Sequence, residues 1–362
     1  MANKTGIEWT DATWNPVTGC TKVSQGCKHC YAKHQAWPRL AGMPNTVYTG
    51  REFEQVMCHP ERLDQPLRWM KPRRIFVNSM SDLFHEDVPD EFIDQVFAVM
   101  ALTPQHTFQV LTKRPARMSD YLSRSAVEVG IGLQAMGMCL DAAVKTKGRS
   151  NLGAGVLLHA SDINPGGIVN WPLVNVWLGV SVEDQDAADE RIPLLLQTPA
   201  AVRWISAEPL LGPVDLRLSR LQEWNKLAVE NGQPWAASSI DWVVVGGESG
   251  PNARPMHPAL ACNLRDQCAA AGVPFLFKQW GEWAPRRPGP ERDGLDGSTS
   301  LPAVDMFPCG YIAKDGAEFI ERPPSTDGVP QQSMWRVGKK AAGRLLDGVL
   351  HDEYPETTVC AR

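Results

Sequence analysis

Short apolar segments alternate along the chain with polar loops and longer stretches of helical periodicity. Each apolar segment holds about five residues and is followed by a polar loop, as in RRIFVNSMSD, HTFQVLTKRP, NVWLGVSVED, AVRWISAEPLLG, DWVVVGGESG and VPFLFKQWGEW. Continuous apolar runs of this length are typical of strands buried on both faces, as in a parallel sheet. A shorter first strand is predicted in GIEWTDATWNP.

Helices are predicted between several of these strands. In DEFIDQVFAVMALTP the residues Phe92, Val96, Val99 and Met100 share one side of a helix because of their spacing. EDQDAADERIPLLLQTP and HPALACNLRDQCAAAG have similar patterns, and Gly272 after the latter predicts a helix stop. Repeated strand, loop and helix predicts an α/β fold of the βα-barrel type, with a doubly wound open sheet as the competing arrangement.

Two regions depart from this alternation. Residues from about 130 to 170 are rich in glycine and predict an insertion or lid within a barrel domain that spans residues 1–284. Residues 285–362 form a predicted C-terminal extension. It begins with a loop rich in Pro, Gly and Asp up to about residue 330, and KKAAGRLLDGVLHDEYPE predicts a short amphipathic helix near its end.

Polar residues recur directly after the predicted strands. In a βα barrel the carboxyl ends of the strands form one rim that holds the site. Loops are polar in any protein, but acidic and basic residues at the same place in successive units favour a site. The set is Asn78, Ser79, Ser81, Asp82, Lys113, Arg114, Ser181, Glu183, Ser206, Glu208, Gly246, Gly247, Glu248, Lys278, Gln279 and Glu282.

The overall composition limits the classes of partner. The net charge is −5, so the chain has no general basic field for nucleic acid, and such a contact needs a local patch. No apolar run approaches the roughly 20 residues that span a bilayer. The segment MANKTGIEWTDATW has no apolar core of a signal peptide. These features predict a cytoplasmic protein without a membrane partner.

Cys20, Cys27 and Cys30 stand apart from the other cysteines in the pattern C-x6-C-x2-C. A structural zinc site needs four ligands, so His29 or His34 would have to complete it. A redox C-x-x-C pair leaves Cys20 unexplained, and three unrelated buried cysteines are a further alternative. An iron–sulfur cluster held by three thiolates would leave one iron free to bind a substrate or cofactor, which explains why there are three.

A series of longer motifs follows the cysteines in a fixed order. The chain contains WNPVTGCTKVSQGCKHCYA, NSMSDLFHEDVP, VLTKRP, LGVSVEDQ, ISAEPLLGPVDL and VVVGGESGP. It thereby resembles the radical S-adenosylmethionine (radical SAM) superfamily, and more narrowly a phage- and prophage-associated family with the N-terminal motif WNPxxGCxxxSxGCxxCYA. The similarity runs from about Gly6 to Trp283. Most of the superfamily has C-x3-C-x2-C, so the first gap is longer here.

This resemblance implies a partial (β/α)6 TIM-like barrel in which Cys20, Cys27 and Cys30 ligate a 4Fe–4S cluster. S-adenosyl-L-methionine (SAM) would bind the fourth iron. Reduction by an electron donor such as flavodoxin or ferredoxin would cleave SAM to a 5′-deoxyadenosyl radical, which abstracts hydrogen from an unknown substrate. Similar proteins act on thymine in DNA, which suggests a nucleobase or nucleic acid, to be modified or repaired; a small molecule or a peptide stays open.

The polar groups of SAM are expected to meet residues on the rim. Asp82, assisted by Ser79 and Ser81, would accept hydrogen bonds from its ammonium group. Ser181 and Glu183 would meet the ribose hydroxyls. The structural alternative for Asp82 is that it caps the turn that follows it.

Further contacts are expected from the later strands and from the LTKRP motif. Lys113 or Arg114 would meet the carboxylate of SAM, although Arg114 in a surface ion pair is the structural alternative. Glu208 would bind SAM or substrate. Gly246 and Gly247 would let the backbone approach the adenine closely.

The alternative hypothesis for function is a non-enzymatic, zinc- or cluster-stabilised binding module associated with phage. The feature that separates the two hypotheses is the rim. A binding module does not need polar residues after every strand, whereas a SAM site does.

Overall fold

A sheet of seven parallel strands forms the centre of the computed structural model, which describes residues 5–124, 171–231, 238–285, 303–307, 310–313 and 332–356. The strands lie side by side in chain order. A doubly wound sheet reverses its strand order at one point, so this order excludes the doubly wound alternative. Their bounds are β1 Ala12–Trp14, β2 Arg74–Val77, β3 Thr107–Thr112, β4 Val176–Ser181, β5 Val202–Ala207, β6 Trp242–Gly246 and β7 Phe275–Gln279.

Helices follow the strands, which confirms the predicted α/β alternation. They are α1 Trp37–Ala41, α2 Asp90–Ala101, α3 Pro115–Leu122, α4 Gln185–Gln197, α5 Leu218–Glu230, α6 Pro258–Ala271 and α7 Lys339–Ala342. Single helical turns cover Gln25–Cys27, Ala32–Ala36, Pro60–Arg62 and Pro66–Arg68.

The local sequence explains where these helices pack and end. The four residues predicted to share one side of α2 are all buried. Asp184 begins α4 by accepting a hydrogen bond from the Ala187 amide at 2.9 Å. Gly272 ends α6 as predicted, with a positive φ of 61° that suits glycine.

Contacts within a cluster of tryptophans show that the sheet is curled. The ring centre of Trp9, which precedes β1, lies 5.1 Å from that of Phe76 on β2, 5.2 Å from Trp204 on β5 and 5.7 Å from Trp242 on β6. In a flat sheet β1 and β5 would be about 19 Å apart, at four spacings of roughly 4.8 Å. The sheet therefore curls into a half-barrel around these rings.

The outer edge of β7 is covered by the C-terminal segment. The Phe277 amide donates to the His351 carbonyl at 3.0 Å, and the Glu353 amide donates to the Phe275 carbonyl at 3.3 Å. These antiparallel contacts satisfy backbone groups that an edge strand would otherwise expose.

The region predicted as a loop from residue 285 to 330 includes strands. Ala303–Phe307 (β9) and Gly310–Ala313 (β10) join Trp283–Ala284 (β8) and Gln332–Arg336 (β11) in an antiparallel sheet of order β8-β11-β9-β10. Met306 and Met334 are buried in the same apolar core as the main sheet. The boundary at residue 284 stays a prediction, and the predicted insertion at 130–170 lies outside the described residues.

The predicted C-terminal amphipathic helix is wrong. Only α7, four residues long, is helical there, and Gly343 follows it with a φ of 74°. Two short strands, Leu345–Leu346 and Val349–Leu350, then pair around Asp347 and Gly348. Both of these central residues have a positive φ, 51° and 79°, as a two-residue Asp-Gly hairpin turn requires. Among the helices described, none is long and apolar enough to cross a membrane.

Candidate functional site

The cysteine loop, residues 19–31, leaves the carboxyl end of β1 and lies over the same edge of the sheet. The Gly19 amide donates to the Met80 carbonyl at 3.1 Å, and the Cys20 amide donates to the Phe53 carbonyl at 3.0 Å. Gly19 has a φ of 92°, and a Cβ there would lie 2.4 Å from the carbonyl oxygen of Gln55. This close backbone approach is why glycine precedes the first cysteine.

The three thiols are partly exposed, and none is in a disulfide. Burial raises the pKa of Cys20 to about 12, with the Asp82 carboxylate adding to the rise, and burial also raises the pKa of Cys30. Cys27 adds to both rises in pKa, so it lies within electrostatic reach of each of the other two thiols. Over the part of the chain that is described, however, no three His, Cys, Asp or Glu side chains are arranged to hold a metal ion.

Arg114 anchors the start of the cysteine loop. Its Nη1 lies 3.6 Å from Cys20 Sγ and 3.4 Å from Asp82 Oδ2, and its Nη2 donates to Thr21 Oγ1 at 2.8 Å. Its Nε lies 3.0 Å from each carboxylate oxygen of Glu86. The side chain is buried, and of its two carboxylate partners Asp82 is buried and Glu86 is exposed at the surface, so the sequence-based alternative of a surface ion pair holds only for Glu86.

Asp82 is buried and supports the start of the cysteine loop through its contact with Arg114. Its Oδ1 accepts from the Phe84 amide at 3.0 Å, which caps the following turn, and its Oδ2 accepts from the Lys113 amide at 3.0 Å. The Thr112 hydroxyl lies 2.8 and 2.9 Å from the two oxygens. Protein donors therefore occupy both oxygens of the residue predicted to meet the ammonium group of SAM.

Glu183 anchors the middle of the cysteine loop. Its Oε2 accepts from Lys113 Nζ at 3.2 Å and from Arg191 Nη1 at 2.9 Å. Burial alone would raise the pKa of Glu183, but the Lys113 ammonium, the Ser24 hydroxyl and the Arg191 guanidinium together lower the pKa to about 2. The carboxylate stays ionised and holds the loop through Ser24.

A third anchor comes from the loop after β6. Arg254 Nη2 donates to the Gln25 carbonyl at 3.1 Å, and its Nε donates to Glu248 Oε2 at 2.8 Å. Polar residues after β2, β3, β4 and β6 are thus used to hold the cysteine loop in place.

A cavity of about 490 Å³ lies on the concave side of the sheet next to the cysteine loop. A volume of this size suits a small-molecule site. Its floor is apolar and its upper wall is polar. The floor includes Trp9, Phe76 and Leu111; the wall includes Gly26, His29, Tyr31, Gln35, Ser79, Ser206, Glu208, Glu248, Ser249 and Lys278.

Glu208 and Lys278 form an ion pair in the cavity wall. Lys278 Nζ lies 2.7 and 2.8 Å from the two carboxylate oxygens of Glu208, and Gln279 Nε2 donates to Oε1 at 3.2 Å. Both charged side chains keep partial exposure, at 20% for Glu208 and 13% for Lys278, so each can exchange part of this pairing for a ligand.

The structure divides the predicted site residues into two groups. Ser79 and Glu208 line the cavity. The others lie within the protein: Ser81 Oγ donates to the Val17 carbonyl at 2.8 Å, and Ser181 is buried at the end of β4. Asp82, Lys113 and Glu183 support the cysteine loop as described above.

Gly246 and Gly247 make room for protein rather than for adenine. A Cβ on Gly246 would lie 3.3 Å from Cδ of Glu208, and one on Gly247 would lie 2.0 Å from the carbonyl oxygen of Trp280. The cavity-lining residues Tyr31 and Leu111 were missed by the sequence analysis.

The chemistry of the three donors fits an iron–sulfur cluster. Three thiols on one short loop are the ligands that such clusters use, and Arg114 provides an N–H donor to one of the sulfurs. Binding would have to draw the three side chains together, because they do not form a ligating group among the described residues.

Comparison with known proteins gives a family match and nothing more specific. A family described as a protein of unknown function (DUF5131) matches residues 4–355. No curated protein matches the chain, and no solved structure does. The matched range covers the cysteine loop, the half-barrel and the C-terminal segment on β7.

Proposed function

The chain belongs to the DUF5131 family, whose function is unknown, and we propose from its own residues that it is a radical SAM enzyme. In this proposal Cys20, Cys27 and Cys30 hold a 4Fe–4S cluster, and SAM binds beside it in the cavity. Cluster and SAM, when bound, supply a 5′-deoxyadenosyl radical that abstracts hydrogen from the substrate, while the protein supplies position and shelter from water.

One observation carries the proposal: a loop with three thiols lies against a cavity at the carboxyl edge of a curled parallel sheet. Sites of βα barrels lie at this edge because the loops after all strands meet there. The finer assignment of the fold as a partial (β/α)6 barrel belongs to the proposal as well. The sequential strand order and the contact between Trp9 and Trp204 support it.

The chain's own residues would do three things in this function. Arg114, Glu183 and Arg254 hold the cysteine loop. The Glu208 carboxylate and the Lys278 ammonium would meet the ammonium and carboxylate of the methionyl group, in place of the Asp82 and Lys113 pairing expected from sequence. The apolar floor of the cavity suits a flat ring.

The substrate class we propose is a nucleobase or nucleic acid. It rests on the resemblance to radical SAM proteins that act on thymine in DNA, and the aromatic floor formed by Trp9 and Phe76 is compatible with a base. The proposed electron donor is a protein such as flavodoxin or ferredoxin, and the proposed location is the cytoplasm.

Anaerobic purification with iron and sulfide analysis tests the proposal. We expect about four irons per chain, and 5′-deoxyadenosine after dithionite and SAM are added. The triple variant C20A/C27A/C30A should lose both. The double variant C58A/C262A, which alters thiols outside the cysteine loop, should keep both. Bound zinc without iron or 5′-deoxyadenosine would overturn the proposal.

The second candidate is a zinc- or cluster-stabilised binding module. One observation favours it: several polar residues after the strands, including Arg114 and Glu183, hold the cysteine loop rather than line the cavity. Such support is also what a purely structural metal loop needs. The same metal analysis decides, because this module would contain metal but form no 5′-deoxyadenosine.

A further inference from the structure

The guanidinium group of Arg114 has an acceptor for each of its five N–H bonds. Nε donates to Glu86, Nη1 donates to Asp82 and to Cys20 Sγ, and Nη2 donates to the hydroxyl and the carbonyl oxygen of Thr21. Because every donor is used, the guanidinium group cannot rotate without breaking several hydrogen bonds. The N–H that points at the sulfur is therefore fixed in direction.

A hydrogen bond to a ligand sulfur changes the electronics of an iron–sulfur centre. It withdraws electron density from the thiolate and stabilises the state with one more electron, so it raises the reduction potential. The carboxylates of Asp82 and Glu86 offset the positive charge of Arg114. Asp82 is buried and lies within the fold, whereas Glu86 is exposed and lies at its surface.

We propose that Arg114 is a positioning residue that orients Cys20 and raises the reduction potential of the cluster, and that Glu86 moderates this effect. The inference rests on the proposed function. It gives the LTKRP motif a role that differs from the SAM-carboxylate contact expected from sequence. Because reduction by one external electron starts the proposed reaction, Arg114 would make that step easier.

The test measures the midpoint potential of the reconstituted cluster by redox titration followed with electron paramagnetic resonance. R114K keeps the charge, but a single ammonium cannot contact Asp82, Thr21 and Cys20 together. We expect its midpoint to shift to a more negative potential. The control R117K alters an arginine on α3, three residues after Arg114, that donates to Val88 and Asp90 instead, and it should leave the midpoint unchanged.

The variant E86Q is expected to shift the midpoint potential in the opposite direction. Its amide oxygen still accepts from Arg114, but one negative charge is gone, so the midpoint should shift to a more positive potential. Glu86 is exposed, so this variant tests the inference even if R114K does not fold. The exposed control E91Q should match wild type.

The outcomes separate the inference from the proposed function. Wild-type protein without iron overturns both. A wild-type cluster with the same midpoint in E86Q and, where it folds, R114K overturns the role of Arg114 and leaves the proposed function intact.

Discussion

Gly26 lies directly against the carboxylate of Glu183. A Cβ at position 26 would be 3.0 Å from Cδ and 3.1 Å from Oε1 of that side chain. Glu183 is itself fixed by Lys113 and Arg191 and is only 1% exposed. The middle of the cysteine loop is therefore packed onto an ion-paired carboxylate that has little room to move.

This contact predicts the effect of a single added methyl group. G26A should lower the free energy of unfolding by about 1–3 kcal/mol, the usual cost of overpacking. Denaturant unfolding of the metal-free protein measures it. G6A is the matched control, because a Cβ at Gly6 meets nothing within 4 Å. Equal stability of G26A and G6A would show that the loop can lift away from Glu183.

Glu183 also predicts a dependence of stability on pH. Its pKa is about 2 in the folded protein, against an ordinary value of 4.5. A lowered pKa contributes stability that is complete above the unfolded value and is lost as the pH falls from about 5 towards 2. The full contribution is of the order of 3 kcal/mol.

The variant E183Q measures that contribution. At pH 7 it should be less stable than wild type by about 3 kcal/mol, because Lys113 and Arg191 lose their shared partner. The difference should shrink as the pH falls below about 4.5. E190Q, on the exposed side of α4, should leave the profile unchanged. A difference that stays constant down to pH 2 would contradict the ion-pair role.

The sequence predicts the sheet well because each strand is a local apolar run. Phe76 in β2 and Val243 in β6 lie in such runs, and both strands are where the pattern places them. The same local information places polar residues at the carboxyl edge. It does not say which way each side chain points once the cysteine loop folds back over that edge.

This is why Asp82 and Glu183 were expected to face SAM. The donors to Asp82 come from Thr112 and Lys113 at the end of the neighbouring strand β3, and those to Glu183 come from Lys113 and from Arg191 on α4. The C-terminal hairpin differs in kind, because its Asp-Gly turn is a local signal. The apolar spacing of the tail predicts a helix, but Asp347 and Gly348 form a hairpin turn there.

The C-terminal segment on β7 predicts the effect of a truncation. Tyr354 stacks on Trp242 with ring centres 5.3 Å apart, and Trp242 Nε1 donates to the Glu353 carbonyl at 2.8 Å. Deleting residues 351–362 removes these contacts and two backbone hydrogen bonds to β7. We expect a loss of about 3 kcal/mol, and light scattering from association of the bare edge.

Deletion of residues 357–362 alone is the control for that truncation. It keeps every contact just named, so denaturation and light scattering should match the full chain. If the longer deletion behaves in the same way, the segment does not protect the edge of β7.

Glu208 gives the prediction that bears most directly on the proposed function. E208Q should leave the iron content unchanged but weaken SAM binding about tenfold, because a charge-assisted hydrogen bond to an ammonium contributes about 1.5 kcal/mol or more. Isothermal titration of the loaded protein with SAM measures this. D82N is the informative contrast: Asp82 is turned towards Thr112 and Lys113, so its change should lower stability and leave SAM affinity close to wild type. The opposite pattern, with SAM affinity lost in D82N and kept in E208Q, would return the ammonium contact to Asp82 and remove Glu208 and Lys278 from the SAM site.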